Sequence, residues 1–106
     1  MAVTYTPPES VAREARRGLM LRASLPPSRR GGTAVGIRRA VQLANRQPVS
    51  MRTLQRMVSF FARHAVDARA AGWGVDSRGW VAHLLWGGSA GQRWAKQLVT
   101  QYGGRA

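Results

Sequence analysis

The 106-residue chain predicts an all-α fold, a compact bundle of four or five short helices with an extended N-terminal arm. Three observations lead there. Apolar residues recur at intervals of three and four, the period of a helix that buries one face. No segment alternates apolar and polar residues as a half-buried strand would. Pro and Gly clusters cut the periodic segments into short lengths. Hydrophobic residues make up 44% of the chain, with four Trp, two Tyr and two Phe to anchor a core. The length suits one domain with a modest core, and no internal repeat is visible. The expected division is an arm over 1–9, a helical body over 10–102 and a tail over 103–106.

The elements follow in order. Pro7-Pro8 keeps the start of the chain extended, and Ser10 is the candidate N-cap of the first helix. Val11, Ala15 and Leu19 form its apolar stripe, and Pro26-Pro27 ends it. The segment PPSRRGGTAVG reads as a loop up to Thr33, which can cap a second helix carrying Ile37, Val41 and Ala44. Pro48 breaks that helix. Ser50 can cap a third, running to about Ala65, in which Leu54, Met57, Val58 and Phe61 fit one helical face. Gly72 and Gly74 lead to a fourth helix capped by Asp76 or Ser77 and ended by Gly87-Gly88. Ser89 can cap a fifth, carrying Trp94, Leu98 and Tyr102, with Gly103-Gly104 closing it. Leu54, Phe61, Trp86 and Trp94 are the expected core anchors.

The stretch HLLWGGSAGQRWA raises a choice between a phosphate loop, a base-stacking platform and a helix corner. A phosphate loop needs a Lys and Ser/Thr after a longer glycine pattern, following a strand, and neither is present. The corner is favoured, with Trp86 and Trp94 packing on each other's helices.

The charge balance is the strongest functional signal. The chain has 17 Lys+Arg against 4 Asp+Glu, a net charge of +13, and every basic residue but Lys96 is Arg. A GC-rich coding genome would raise Arg over Lys, but would not remove the acids. Such an excess calls for an anionic partner, because self-repulsion destabilises the compact state. Arg also presents a planar fork that matches phosphate and carboxylate. Arg29, Arg30, Arg38 and Arg39, set among glycines, suit contact with a phosphate backbone or an acidic neighbour. Leu43 to Met57 has the spacing of a helix-turn-helix unit, which would direct Arg52, Thr53 and Arg56 at DNA, with Arg46 close by.

Catalysis and metal binding find little to work with. There is no Cys, which excludes disulfides, thiolate zinc sites and Cys nucleophiles. The few acids are scattered. His64 and Asp67 form an expected local pair at a helix end, and His83 is expected buried or half-buried. No catalytic residue, metal ligand or cofactor is assigned. No apolar run approaches the roughly 18–20 residues that span a bilayer, and the N-terminus lacks the pattern of a signal peptide, so a cytosolic protein without membrane contact is expected.

Three blocks carry a resemblance. The first comprises Gly31, Gly32, Thr33 and Gly36, with Leu43, Ala44 and Asn45 closing the helix after it. The second runs through Arg56, Met57, Ser59, Phe60, Phe61, Arg63, His64, Val66 and Asp67. The third is Trp86, Gly87, Gly88, Ala90, Gly91, Trp94 and Ala95. Together they resemble a small uncharacterised domain of tailed-phage head-module proteins, found alone or attached to capsid-maturation proteases. The chain departs from that pattern at Ser89, where an acid is usual, and in GWGVDSRGW, which is shorter and lacks a Gly-Tyr-Pro-Ser. The resemblance implies a phage origin and a link to the head, without supplying an activity; with the basic charge, the reading expected is a non-enzymatic virion structural protein associated with the capsid or head, a cement, decoration or minor head protein. Its partners would be phage capsid or head proteins and double-stranded DNA within a larger assembly, reached from the host cytoplasm. Two other readings fit the basic charge: a free, sequence-tolerant DNA-binding protein, and a phage factor that binds an acidic host protein.

Overall fold

The computed structural model describes residues 3–103; the first two residues of the expected arm and residues 104–106 of the expected tail lie outside the described residues. The chain forms β1 (Thr4–Tyr5), α1 (Glu9–Ser24), α2 (Ala34–Ala44), β2 (Val49–Ser50), α3 (Met51–Arg63), α4 (Arg78–Leu85) and α5 (Gly88–Leu98). Short 3-10 turns cover Pro27–Arg29 and Ala65–Arg69, and a π-helical turn covers Val99–Gly103. The fold is the all-α bundle that the periodicity predicts, with one two-residue strand pair added.

Where a cap is a local matter, the expected residue serves. The hydroxyls of Thr33, Ser50 and Ser77 accept from the backbone N–H of Gly36, Thr53 and Trp80 at the starts of α2, α3 and α4. Two expected caps are corrected. α1 starts at Glu9 with Pro8 at the N-cap position, so Ser10 lies inside the helix. Gly87 precedes α5 at φ 105°, which places Ser89 in its first turn with no capping bond. The third helix ends at Arg63 rather than near Ala65, and Tyr102 lies in the π-helical turn beyond α5.

The arm is a docked strand. β1 pairs antiparallel with β2, Thr4 opposite Ser50 and Tyr5 opposite Val49. Pro7 is buried, and Arg46 Nε donates to its carbonyl at 2.8 Å. Arg46 has φ 53°, a left-handed conformation that costs a non-glycine residue roughly 1–2 kcal/mol. The bond to Pro7 offsets that cost.

Helix α1 is the hub, packing against α2, α4 and α5. Its buried face is Val11, Ala12, Ala15 and Gly18, a stripe of mostly small side chains that lets its neighbours approach closely. A Cβ placed on Gly18 would lie 2.8 Å from Leu85 N and 2.9 Å from Leu84 Cβ. The core around this hub holds Leu43, Leu54, Met57 and Leu85, all fully buried, with Phe60 and Phe61 beside them. Phe60 replaces Val58 on the buried face of α3, since Val58 is half-buried. Trp86 is buried and stacks on Phe60, with ring centroids 4.8 Å apart. Trp94 is only half-buried, and it packs on the core without stacking on Trp86.

Replacing Gly by Ala at an open helix position stabilises by about 1 kcal/mol. Here the added methyl meets the α4 backbone, so Gly18→Ala should destabilise by about 1–3 kcal/mol, read as a fall in Tm in thermal unfolding. A raised Tm would show that α1 and α4 are not in close contact.

Candidate functional site

The few acids are all engaged close to home. Glu9 pairs with Arg16, Glu14 with Arg17 at 2.6 Å, Asp76 with Arg29 at 2.6 Å, and Asp67 with His64 at 3.1 Å. Three of the four Asp and Glu side chains are thus taken by arginines, and Asp67, held by His64, is the one that lines the groove along α3.

Several arginines are spent on backbone carbonyls instead. Arg30 Nε donates to the carbonyls of Arg22 and Leu25 at 3.0 and 2.9 Å, which satisfies the open end of α1. Arg22 donates to Gly31, and Arg78 donates to Ser28 at 2.5 Å. With the Arg29–Asp76 pair, these bonds tie the 27–32 segment to α1 and α4. The basic loop is therefore held from both sides. Of the expected contact residues, Arg29, Arg30 and Arg46 serve the fold.

Arg52 and Arg56 do face solvent, and Arg63 joins them. Their spacing of four and seven along α3 places all three on one face, with Ser59 between. This face forms one wall of an open groove of about 1040 Å³. The first turns of α2 (Thr33, Val35) and α4 (Arg78, Gly79) form the opposite wall, and Phe60 and Trp86 form the floor. Helix starts carry unpaired N–H groups and partial positive charge, so both walls favour an anion.

Arg38 and Arg39 lie beyond the floor. The Arg39 guanidinium sits 5.7 Å from the centroid of the Trp86 ring, a cation–π contact, and donates to Gln42. Its Nε is buried without a partner. Burial, then the charges of Arg56 and Arg38, lowers the Arg39 pKa from its ordinary value. Flat groups therefore stack in sequence below the groove: Arg39, Trp86, Phe60 and His64, the last with its ring centroid 4.4 Å from that of Phe60. Asp67 holds the His64 ring in place and leans on Gly79, where an added Cβ would lie 2.6 Å from Asp67 Cβ.

A second, smaller cleft of about 260 Å³ shares Phe60, His64 and Gly79 with the groove. Phe61, Trp73 and His83 line it, with Ser89 and Gln92 at its edge. His83 is half-buried, as the sequence suggests. Its ring stacks on Trp80 and meets Trp73 and Phe61 edge-on, and Nε2 lies 3.4 Å from Ser89 Oγ. Burial lowers its pKa, partly offset by Glu14.

The helix-turn-helix expectation finds less support in the packing. α2 packs on α1 and α4, whereas α3 packs mainly on α5, so the two helices do not form the mutually packed pair of that motif. The left-handed turn residue is Arg46 rather than Pro48. Sequence reasoning named Arg52 and Arg56 for the site but not Arg63, whose helical spacing was the available signal. Arg78 came from a distant segment that no local pattern links to α3. Comparison with known proteins adds no relative: no family model, curated protein or solved structure matches the chain.

His83 supplies a pH test. Its folded pKa lies below the unfolded 6.5, so the unfolded state binds more protons as pH falls past that value. Stability should therefore decline from about pH 7 downward through the imidazole range. His83→Gln should flatten that part of the profile in urea unfolding. A profile unchanged by the substitution would place the acid sensitivity elsewhere.

Proposed function

We propose that the protein is a non-enzymatic, nucleic-acid-binding component of a tailed-phage head. The observation that carries the binding role is the α3 face: Arg52, Arg56 and Arg63 side by side along a groove whose one acid, Asp67, is bonded to His64, while Glu9, Glu14 and Asp76 pair with other arginines. From Arg52 to Arg63 the helix rises roughly 16 Å, enough to meet successive phosphates. Guanidinium groups suit such contacts and stay protonated, so they bind anions without transferring protons. Phosphate contact of this kind positions a nucleic acid without reading its sequence. The placement in a phage head rests on the sequence resemblance, and a basic groove is compatible with contact to packaged DNA.

An acidic capsid surface is the competing partner, and two measurements separate them. Mass spectrometry of purified particles reports whether the protein is present in stoichiometric amounts. Its absence from particles would remove the head placement. Binding to duplex DNA across a salt series reports the phosphate contacts. A net charge of +13 makes weak binding at low salt uninformative, so the slope decides.

The triple variant Arg52→Gln, Arg56→Gln, Arg63→Gln should lower the magnitude of that slope by roughly one unit for each phosphate the arginines neutralise. Arg30→Gln should lower Tm while leaving the slope nearly unchanged. An unchanged slope in the triple variant would refute the groove as the DNA site.

A further inference from the structure

We propose that the 260 Å³ cleft beside the arginine groove is a nucleobase pocket, so that the site, whose groove holds the phosphates of either form, prefers a single strand with an unpaired base to a closed duplex. This rests on the groove being a phosphate site, and it adds where the base goes.

The juxtaposition carries it. The groove and the cleft share a wall made by Phe60, His64 and Gly79. One side of that wall offers the guanidinium groups of α3 and the other offers aromatic rings. A strand whose phosphates lie along Arg56 and Arg63 would have a base within reach of the far side. Proteins that bind single strands combine these two parts, a basic track for the backbone and aromatic faces for the bases.

The cleft has the chemistry of a base site. Phe61, Trp73 and His83 supply ring surface, with Trp73 and His83 already set edge to face, their centroids 5.0 Å apart. His64, exposed and fixed by Asp67, forms the lip. Ser89 and Gln92 bring a hydroxyl and an amide to the cleft edge, where they match the donors and acceptors of a base rim. The volume accommodates one planar ring system. No acid lines the cleft; the nearby Asp67 carboxylate is bonded to the ring of His64.

The test compares four probes on the intact protein at one salt concentration: oligothymidylate, an abasic phosphodiester chain of equal length, a duplex of equal length, and polyglutamate. Oligothymidylate should bind at least about fivefold more tightly than the abasic chain, the gain from one stacked base. Trp73→Leu should bring the two to parity. Trp73 touches Trp80 and His83, so a second variant guards against misfolding: Ser89→Leu, at an exposed position, fills the cleft from its edge with an aliphatic side chain and should likewise abolish the preference. Arg56→Gln should weaken every nucleic-acid probe while keeping the preference.

Equal binding of abasic chain and oligothymidylate to the unaltered protein would overturn the base pocket alone, provided Arg56→Gln still weakens both. A duplex that matches oligothymidylate would overturn it too. Polyglutamate binding as well as the abasic chain, or no response to Arg56→Gln, would overturn the phosphate groove and the pocket together.

Discussion

The close approach of α1 and α4 at Gly18 is the constraint on which the rest depends. With no side chain at Gly18, the α4 backbone comes within reach of α1, and the end of α4 is thereby fixed against the hub. Trp86 follows directly as the C-cap residue of α4. From that anchored position its ring lies on Phe60 of α3 and under Arg39 of α2. One tight contact, with the residues that directly precede Trp86, thus sets the floor of the groove. The glycine pair after Trp86 turns the chain at once into α5, which closes on α3.

The electrostatics divide the arginines into two populations by what lies nearby. Where a helix end or an acid is close, the guanidinium is absorbed by the fold, as with Arg29, Arg30, Arg46 and Arg78. Along α3, Arg52 and Arg56 face solvent, and Asp67, the acid that shares their groove, is bonded to His64. Arg39 shows the cost of crowding, since its charged form is disfavoured by burial and by its two like-charged neighbours. An anion in the groove would relieve part of that repulsion, which makes the unliganded site electrostatically the less favourable one.

Helix number and most boundaries were legible because they are local. Thr33, Ser50 and Ser77 cap the next turn, and the Pro26-Pro27 break acts on its own neighbours, whereas α2 stops at Ala44, well before Pro48. Ser10 and Ser89 misled because each sits just after a residue that already starts its helix, Pro8 by its fixed φ and Gly87 by its left-handed turn. The groove was half legible. The α3 face follows from spacing, but the opposing wall joins segments near residues 33 and 78 that only the tertiary fold brings together. The internal duties of Arg30 and Arg46 were hidden for the same reason, as their partners are backbone carbonyls, which carry no sequence signature. Gly18 offers no side chain for an apolar pattern to register, yet it belongs to the buried stripe.

The strand pair has a consequence for how the domain can be used. Tyr5, near one end of the described chain, stacks on Tyr102, near the other, with ring centroids 6.0 Å apart. Entry and exit of the polypeptide therefore lie together on one side of the bundle. A unit built this way can be spliced into a surface loop of a larger protein, or linked head to tail with a copy of itself, without its helices being pulled apart.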